Sequence, residues 1–233
     1  MCRMIAYMGR CSLQLEQVIY GTEHSLMAQS LASKENIKAS KHLDGFGLGW
    51  YPSHPQTEPM SYKSMLPINT DLKAMEICQR NHSSCFLGHV RAATVANSSY
   101  HNCHPFQFKQ FIFCFNGTLR HFSKLKNDLL QSFSQDIRNK IQGQTDAEYF
   151  FWLLMDIKQK NPGVSLSQLC SLGLQHYHTA LRKIGKDKIS AINFALSDGQ
   201  QLLVSRFSDL EQKTVSLYSC QNLENLFPYR RKI

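Results

Sequence analysis

The chain has 233 residues, 42% hydrophobic and 18% charged, with 12 Gly and 7 Pro, which excludes a disordered or fibrous chain and describes one globular domain over residues 1–233. At this length roughly three-quarters of the unfolded surface is buried on folding, so the eight cysteines are not needed as staples of a small scaffold. Lys and Arg (26) exceed Asp and Glu (17) by nine charges, but basic residues are interspersed with acids and only Arg230-Arg231-Lys232 forms a run, which reads as a solvated surface open to small anions and not as a nucleic-acid binder.

The opening residues, Met1-Cys2-Arg3-Met4-Ile5-Ala6-Tyr7, lack the layout of a secretory leader. No stretch approaches the ~20 apolar residues of a membrane span, so the expectation is a cytoplasmic protein with reduced thiols and no membrane partner. Asn97-Ser98-Ser99 is then a chance glycosylation triplet. The cysteines follow no zinc-ligand spacing, and no metal is expected.

Met4-Ile5-Ala6-Tyr7-Met8, stopping at Gly9, predicts a strand that opens the fold. Leu15, Val18 and Ile19 before Gly21, and Leu26, Met27 and Leu31 after it, fit two short helices or a helix and a turn. Phe46, Leu48 and Trp50 alternate with Gly45, Gly47 and Gly49, and glycine at every second place of a strand means that another backbone or a ligand comes close to that face. It is not a dinucleotide fingerprint, because Trp50 stands where the third glycine belongs. Further strands are predicted at 85–90, 111–115, 189–197 and 201–207, the last two joined by a turn at Asp198-Gly199. Helices fit 124–133, 146–160 and 166–184, the second opening with a capping-box pattern, Thr145-x-x-Glu148. Residues 51–63 and 121–142 show no readable functional pattern. Strands from both ends of the chain with helices between them predict stacked sheets carrying helices.

Several residues could carry chemistry. Removal of Met1 would leave Cys2 with a thiol and an α-amine whose ordinary pKa of about 7.7–8.0 suits it to act as base for that thiol; the plain alternative is a small buried apolar residue. Gly88-His89-Val90-Arg91-Ala92-Ala93-Thr94 is an apolar strand ending in an arginine suited to a carboxylate, or to an ordinary ion pair. Asn116-Gly117 after an apolar strand reads as a hairpin turn, or as two donors for a developing oxyanion. Asp146 in a first helical turn is favourable electrostatically, or binds a substrate ammonium. Cys103 and His104 are adjacent in sequence and thereby unsuited to face one another as a nucleophile pair.

Met-Cys-Arg-Met, Asp44-Gly45-Phe46-Gly47-Leu48-Gly49-Trp50-Tyr51, the block from Gly88 to Thr94, Asn102-Cys103-His104-Pro105-Phe106, Phe115-Asn116-Gly117 and Gly143-Gln144-Thr145-Asp146-Ala147-Glu148 occur in one fixed order. Over about residues 2 to 207 that order resembles the class II glutamine amidotransferases. With Glu23-His24-Ser25-Leu26-Met27-Ala28-Gln29-Ser30, it is most similar to their stand-alone branch, which includes γ-glutamyl hydrolases of glutathione and ergothioneine metabolism. The resemblance implies an α+β N-terminal-nucleophile hydrolase fold, a four-layer αββα sandwich of two antiparallel sheets. It implies Cys2 as nucleophile, Arg91 assisted by Thr94 for the α-carboxylate, Asp146 for the α-ammonium, and Asn116 and Gly117 as the oxyanion hole. His89 and His104 are candidates to support these groups from behind. The expected reaction is hydrolysis of the γ-amide of glutamine or a γ-glutamyl compound through a Cys2 thioester, without metal or organic cofactor. The expected partners are the small-molecule substrate and either a second copy of the chain or a separate acceptor subunit. The alternatives are a glutaminase subunit of a larger complex, or a catalytically impaired glutamyl-binding or regulatory protein. Phe115 stands where the family commonly has histidine, Ala147 where it has serine, and from about residue 208 the tail departs from the family pattern.

Overall fold

A strand alternates its side chains between two faces, so a protein of stacked sheets must give every strand one face for helices and one for the opposite sheet. That is the arrangement in the computed structural model of the chain, which describes residues 2–31, 45–52, 58–91, 99–189, 191–209 and 216–221. In sheet order, β1 (Arg3–Gln14), β4 (His82–Val90), β2 (Phe46–Trp50) and β3 (Met60–Ser64) form one antiparallel sheet. The second, also antiparallel, runs β5 (Phe106–Phe108), β6 (Phe111–Gly117), β7 (Ala191–Ser197), β8 (Leu202–Ser208).

Short helices α1 (Leu15–Ile19), α2 (Leu26–Leu31) and α3 (Leu72–Arg80) cover the outer face of the first sheet, where Ile19, Leu26, Phe46, Leu48, Phe86 and Val90 share one core. The outer face of the second sheet carries α4 (Phe122–Ser132), α5 (Gln135–Arg138), α6 (Asp146–Lys160) and α7 (Leu166–Lys183). Residues 147–156 of α6 are buried without a break, because the sheet covers one side and neighbouring helices the others. Phe113 packs against Phe150, Phe151 and Phe194 there, each fully buried ring contributing about 1.5–3 kcal/mol. Between the sheets lies a thinner core of Cys85, Leu87, Ile112, Cys114 and Ala195 with Met4, Ala6 and Met8 packed against it. The layers are therefore helices, sheet, sheet, helices, the αββα order the resemblance implies.

Two local expectations are corrected. Gly9 does not end the first strand, which continues to Gln14 with an irregularity between Met8 and Leu13. Asn116-Gly117 is not a hairpin turn: β6 runs through it, paired to Asn193 and Ile192 of β7. The turn at Asp198-Gly199 does join β7 to β8, with Gly199 at φ +88° and Asp198 Oδ1 accepting the N–H groups of Gln200 and Gln201.

Candidate active site

The inter-sheet layer changes character along its length. At one end it is dry, and Tyr51 Oη lies 2.7 and 2.9 Å from the carbonyls of Gln110 and Ser197, fastening one sheet to the other. Toward the other end the same alternation brings in polar residues. On β4, Cys85 and Leu87 are followed by His89 and then Arg91; on β6, Ile112 and Cys114 are followed by Asn116; on β7, Ala195 is preceded by Asn193. On β1, Met8, Ala6 and Met4 lead to Cys2, and the register Arg3↔Val90 carried one step further sets Cys2 beside Arg91. The Arg91 N–H donates to Gly45 O at 2.9 Å. Strand parity thus sets Cys2, Arg91 and Asn116 on the inner faces at one end of the layer.

Asp146 reaches the same end from the helical layer. Its Oδ2 accepts the Leu119 N–H at 2.7 Å, just beyond Gly117, and its Oδ1 accepts the Ala147 N–H at 3.0 Å. Burial pushes its carboxyl above the ordinary 3.8, partly opposed by those N–H groups. A carboxylate oxygen has two lone pairs, so each keeps capacity for a further donor. Gly117 is tightly set, since a Cβ there would lie 2.8 Å from Ala191 O and Ile192 Cα. Thr94 lies outside the described residues.

The glycines of β2 have the close approach that their spacing predicts. A Cβ on Gly47 would be 2.0 Å from His104 O, and one on Gly49 2.8 Å from Pro105 Cγ. His104 is laid over the strand in this way, and its ring packs on His89 with centroids 4.1 Å apart. Burial, then the positive fields of His89, Lys63 and Arg91, hold His104 far below the usual imidazole range, so it is neutral at pH 7.

The thiols separate clearly. Burial raises Cys78 and Cys170 to about 12, Cys85 to about 11, and Cys103 and Cys114 in the same direction, which makes all five poor nucleophiles. Cys103 Sγ is occupied by Ser99 O and Met65 Sδ, at 3.6 and 3.7 Å, so it does not form a pair with His104. Cys11 and Cys220 are exposed, and Cys2 is the half-buried thiol at the polar end of the inter-sheet layer.

Four further residues lie near this end, of which Lys63 and Asn193 carry no local sequence signal. Lys63, opposite Gly47 on β3, lies 5.4 Å above the Phe106 ring, and burial lowers its pKa. Asn193 stands beside Asn116, its Nδ2 donating to Ser216 O at 3.0 Å. Asn102 and Glu148 are buried near the start of α6. Among the described residues no three His, Cys, Asp or Glu side chains converge as a metal-ligand set, and no helix is long and apolar enough to cross a membrane.

A family model described as class II glutamine amidotransferases matches residues 19–216. A Saccharomyces cerevisiae protein named probable glutamine amidotransferase DUG3 is 27% identical over 242 residues, 94% of this chain and 68% of that protein. A solved glutamine aminotransferase class-II domain protein from Silicibacter pomeroyi has a TM-score of 0.62 at 22% identity, covering 90% of this chain and 78% of that one. Glutamine phosphoribosylpyrophosphate amidotransferase from B. subtilis has a TM-score of 0.59 at 16% identity, covering 88% of this chain and 37% of that one. The two solved structures share the fold. The family match begins downstream of Cys2.

Proposed function

The chain belongs to the class II glutamine amidotransferases, and from that premise we propose that it hydrolyses the γ-amide of glutamine or a γ-glutamyl compound through a thioester on Cys2. The observation that carries the reading is that strand parity sets Cys2, Arg91 and Asn116 on the inner faces at the polar end of the inter-sheet layer, with Asp146 arriving at Leu119, two residues beyond Gly117. Loss of Met1 frees the Cys2 α-amine. Arg91, with Thr94, receives the substrate α-carboxylate as a charge-assisted pair, and Asp146 receives the α-ammonium.

The Cys2 α-amine takes the thiol proton, directly or through water, as Sγ adds to the side-chain carbonyl carbon. Charge develops on the carbonyl oxygen and is met by the Asn116 amide and the Gly117 N–H. Collapse breaks the C–N bond. The nitrogen leaves with the proton held by the α-ammonium, as ammonia or an amine. A water then adds to the thioester, giving up its proton to the α-amine, and glutamate departs with the thiol restored. The balance closes on substrate plus water, so no redox or metal step is required. The freed ammonia or amine passes to solvent or to an acceptor subunit.

The test is mass spectrometry of the purified chain treated with a diazoketone analogue of glutamine. The expected result is a single adduct on Cys2, with Met1 absent, and turnover of glutamine that Cys2→Ala abolishes. A chain carrying an uncleavable N-terminal tag should fold and be inactive, since acylation of the amine removes the base. Full activity in the tagged protein, or labelling confined to Cys11 and Cys220, refutes the mechanism. Saturable binding of the glutamyl compound with no adduct and no turnover identifies the non-catalytic alternative.

A further inference from the structure

The capping-box pattern Thr145-x-x-Glu148 is only half used as a cap. Thr145 Oγ1 accepts the Glu148 N–H at 3.2 Å, but the Glu148 carboxylate turns forward, and its Oε1 accepts the N–H of Gln142 at 2.8 Å. From the opposite side, Asn102 Oδ1 accepts the N–H of Gln144 at 3.2 Å. Gly143 passes between the two side chains with no room for its own: a Cβ there would lie 2.5 Å from Asn102 Oδ1 and 2.6 Å from Glu148 Oε2. Both gripping residues are buried, at 4% and 3% exposure. A carboxylate is costly to bury, and here Oε1 accepts the Gln142 N–H while Oε2 has no hydrogen-bond partner among the described residues, immediately ahead of Asp146.

The grip has two anchors of different origin. Glu148 belongs to α6 itself, and Asn102 closes the single turn Tyr100–Asn102 that leads into Cys103 and His104. Those two residues lie against Gly45 and Gly47, beside Arg91. The run 142–144 is therefore tied at once to the nucleophile side of the site and to the helix that presents Asp146.

Resting on the reading that Asp146 receives the substrate α-ammonium, we propose that Asn102 and Glu148 are positioning residues, which set the direction of Asp146 by clamping residues 142–144 around Gly143. The clamp acts on recognition of the glutamyl head group and leaves the Cys2 thiol untouched. The angle of a charge-assisted contact is what it controls, because such bonds weaken steeply when misaligned.

Two reagents separate the clamp from the chemistry. The diazoketone analogue carries the α-ammonium and α-carboxylate; iodoacetamide carries neither. In Glu148→Leu and in Gly143→Ala, labelling of Cys2 by the analogue should slow about tenfold, as for one lost charge-assisted hydrogen bond. The loss should appear in the half-saturating concentration and not in the maximal rate. Iodoacetamide should label both variants at the wild-type rate, and Glu148→Gln, whose amide oxygen still accepts the Gln142 N–H, should restore analogue labelling. Should Glu148→Leu fail to fold, Gly143→Ala and Asn102→Ala carry the same comparison. Analogue labelling as fast as wild type in these variants overturns the proposal, and so does an equal slowing with both reagents. A wild-type Cys2 that takes iodoacetamide but never the analogue overturns the underlying reading of the pocket, and is told apart by the wild-type protein alone.

Discussion

Asn116 sits at a place where its cost to the fold and its use in the reaction separate. It is 7% exposed on the inner face of β6, opposite Asn193, and its side chain makes no hydrogen bond among the described residues, whereas Asn193 donates to Ser216 O. Truncation to alanine therefore breaks no hydrogen bond among the described residues, and the expected loss of stability stays within about 1 kcal/mol, a fall in Tm of roughly 2–4 °C for a chain of this size. If the amide meets the developing oxyanion, the same substitution costs ~10²–10³ in kcat, or ~2.7–4 kcal/mol of transition-state stabilisation. Asn193→Ala is the matched control. It loses the Ser216 bond, at about 0.5–1.5 kcal/mol of stability, and should leave kcat within about twofold because no donor to the reacting carbonyl is removed. The assay is glutamate release from glutamine at saturation, beside thermal unfolding of both variants. Normal kcat in Asn116→Ala refutes the oxyanion assignment. Equal kcat losses in the two variants refute it as well, since strand packing alone would then explain them.

Arg91→Ala and Asp146→Ala should each raise KM for a γ-glutamyl substrate about ten- to hundredfold, the worth of a ~1.5–3 kcal/mol charge-assisted bond; an unchanged KM in either removes that residue from the handle. Because burial raises the Asp146 carboxyl above 3.8 and the ionised form is the one that takes an ammonium, KM should climb on acidification at a higher pH than an ordinary aspartate would give. Asp146→Asn should abolish that acid limb, and a limb that persists belongs to another group. Gly47→Ala puts a methyl 2.0 Å from the His104 carbonyl; overpacking of this kind costs ~1–3 kcal/mol, so Tm should drop by roughly 2–12 °C, and an unchanged Tm contradicts the close approach.

The sequence is legible where the signal lies within a few residues. The span of α6, the Asp198-Gly199 turn and the demand of Gly47 and Gly49 for a close neighbour are all of this kind. The identity of that neighbour was not local: His104 and Pro105 lie more than fifty residues downstream of Gly47. The same limit explains Asn116-Gly117. The dipeptide favours a two-residue turn, but Ile192 and Asn193 pair with it from a distant strand and hold it extended. Glu148 shows a subtler form of the limit, since the pattern around it is that of a capping box and only the fold decides that its carboxylate reaches Gln142 instead.

The site follows a rule that periodicity alone could not expose in this chain. Cys2, Arg91 and Asn116 each continue the inner-face parity of their strands, and a polar residue on that parity at a strand end is in principle a signal. Detecting it requires knowing which face is inner, and that is erased where both faces are covered, because the alternation of apolar and polar residues disappears. Phe111-Ile112-Phe113-Cys114-Phe115 is apolar throughout, its phenylalanines against α6 and its Ile112 and Cys114 against the first sheet. In a four-layer sandwich the two central sheets are buried twice, so the strands that build the pocket are the ones whose orientation is least legible. The fixed order of the short blocks was more informative for that reason: glycines at 45, 47 and 49, an arginine at 91 and an acid at 146 mark close approaches and charges, which burial on both faces does not hide.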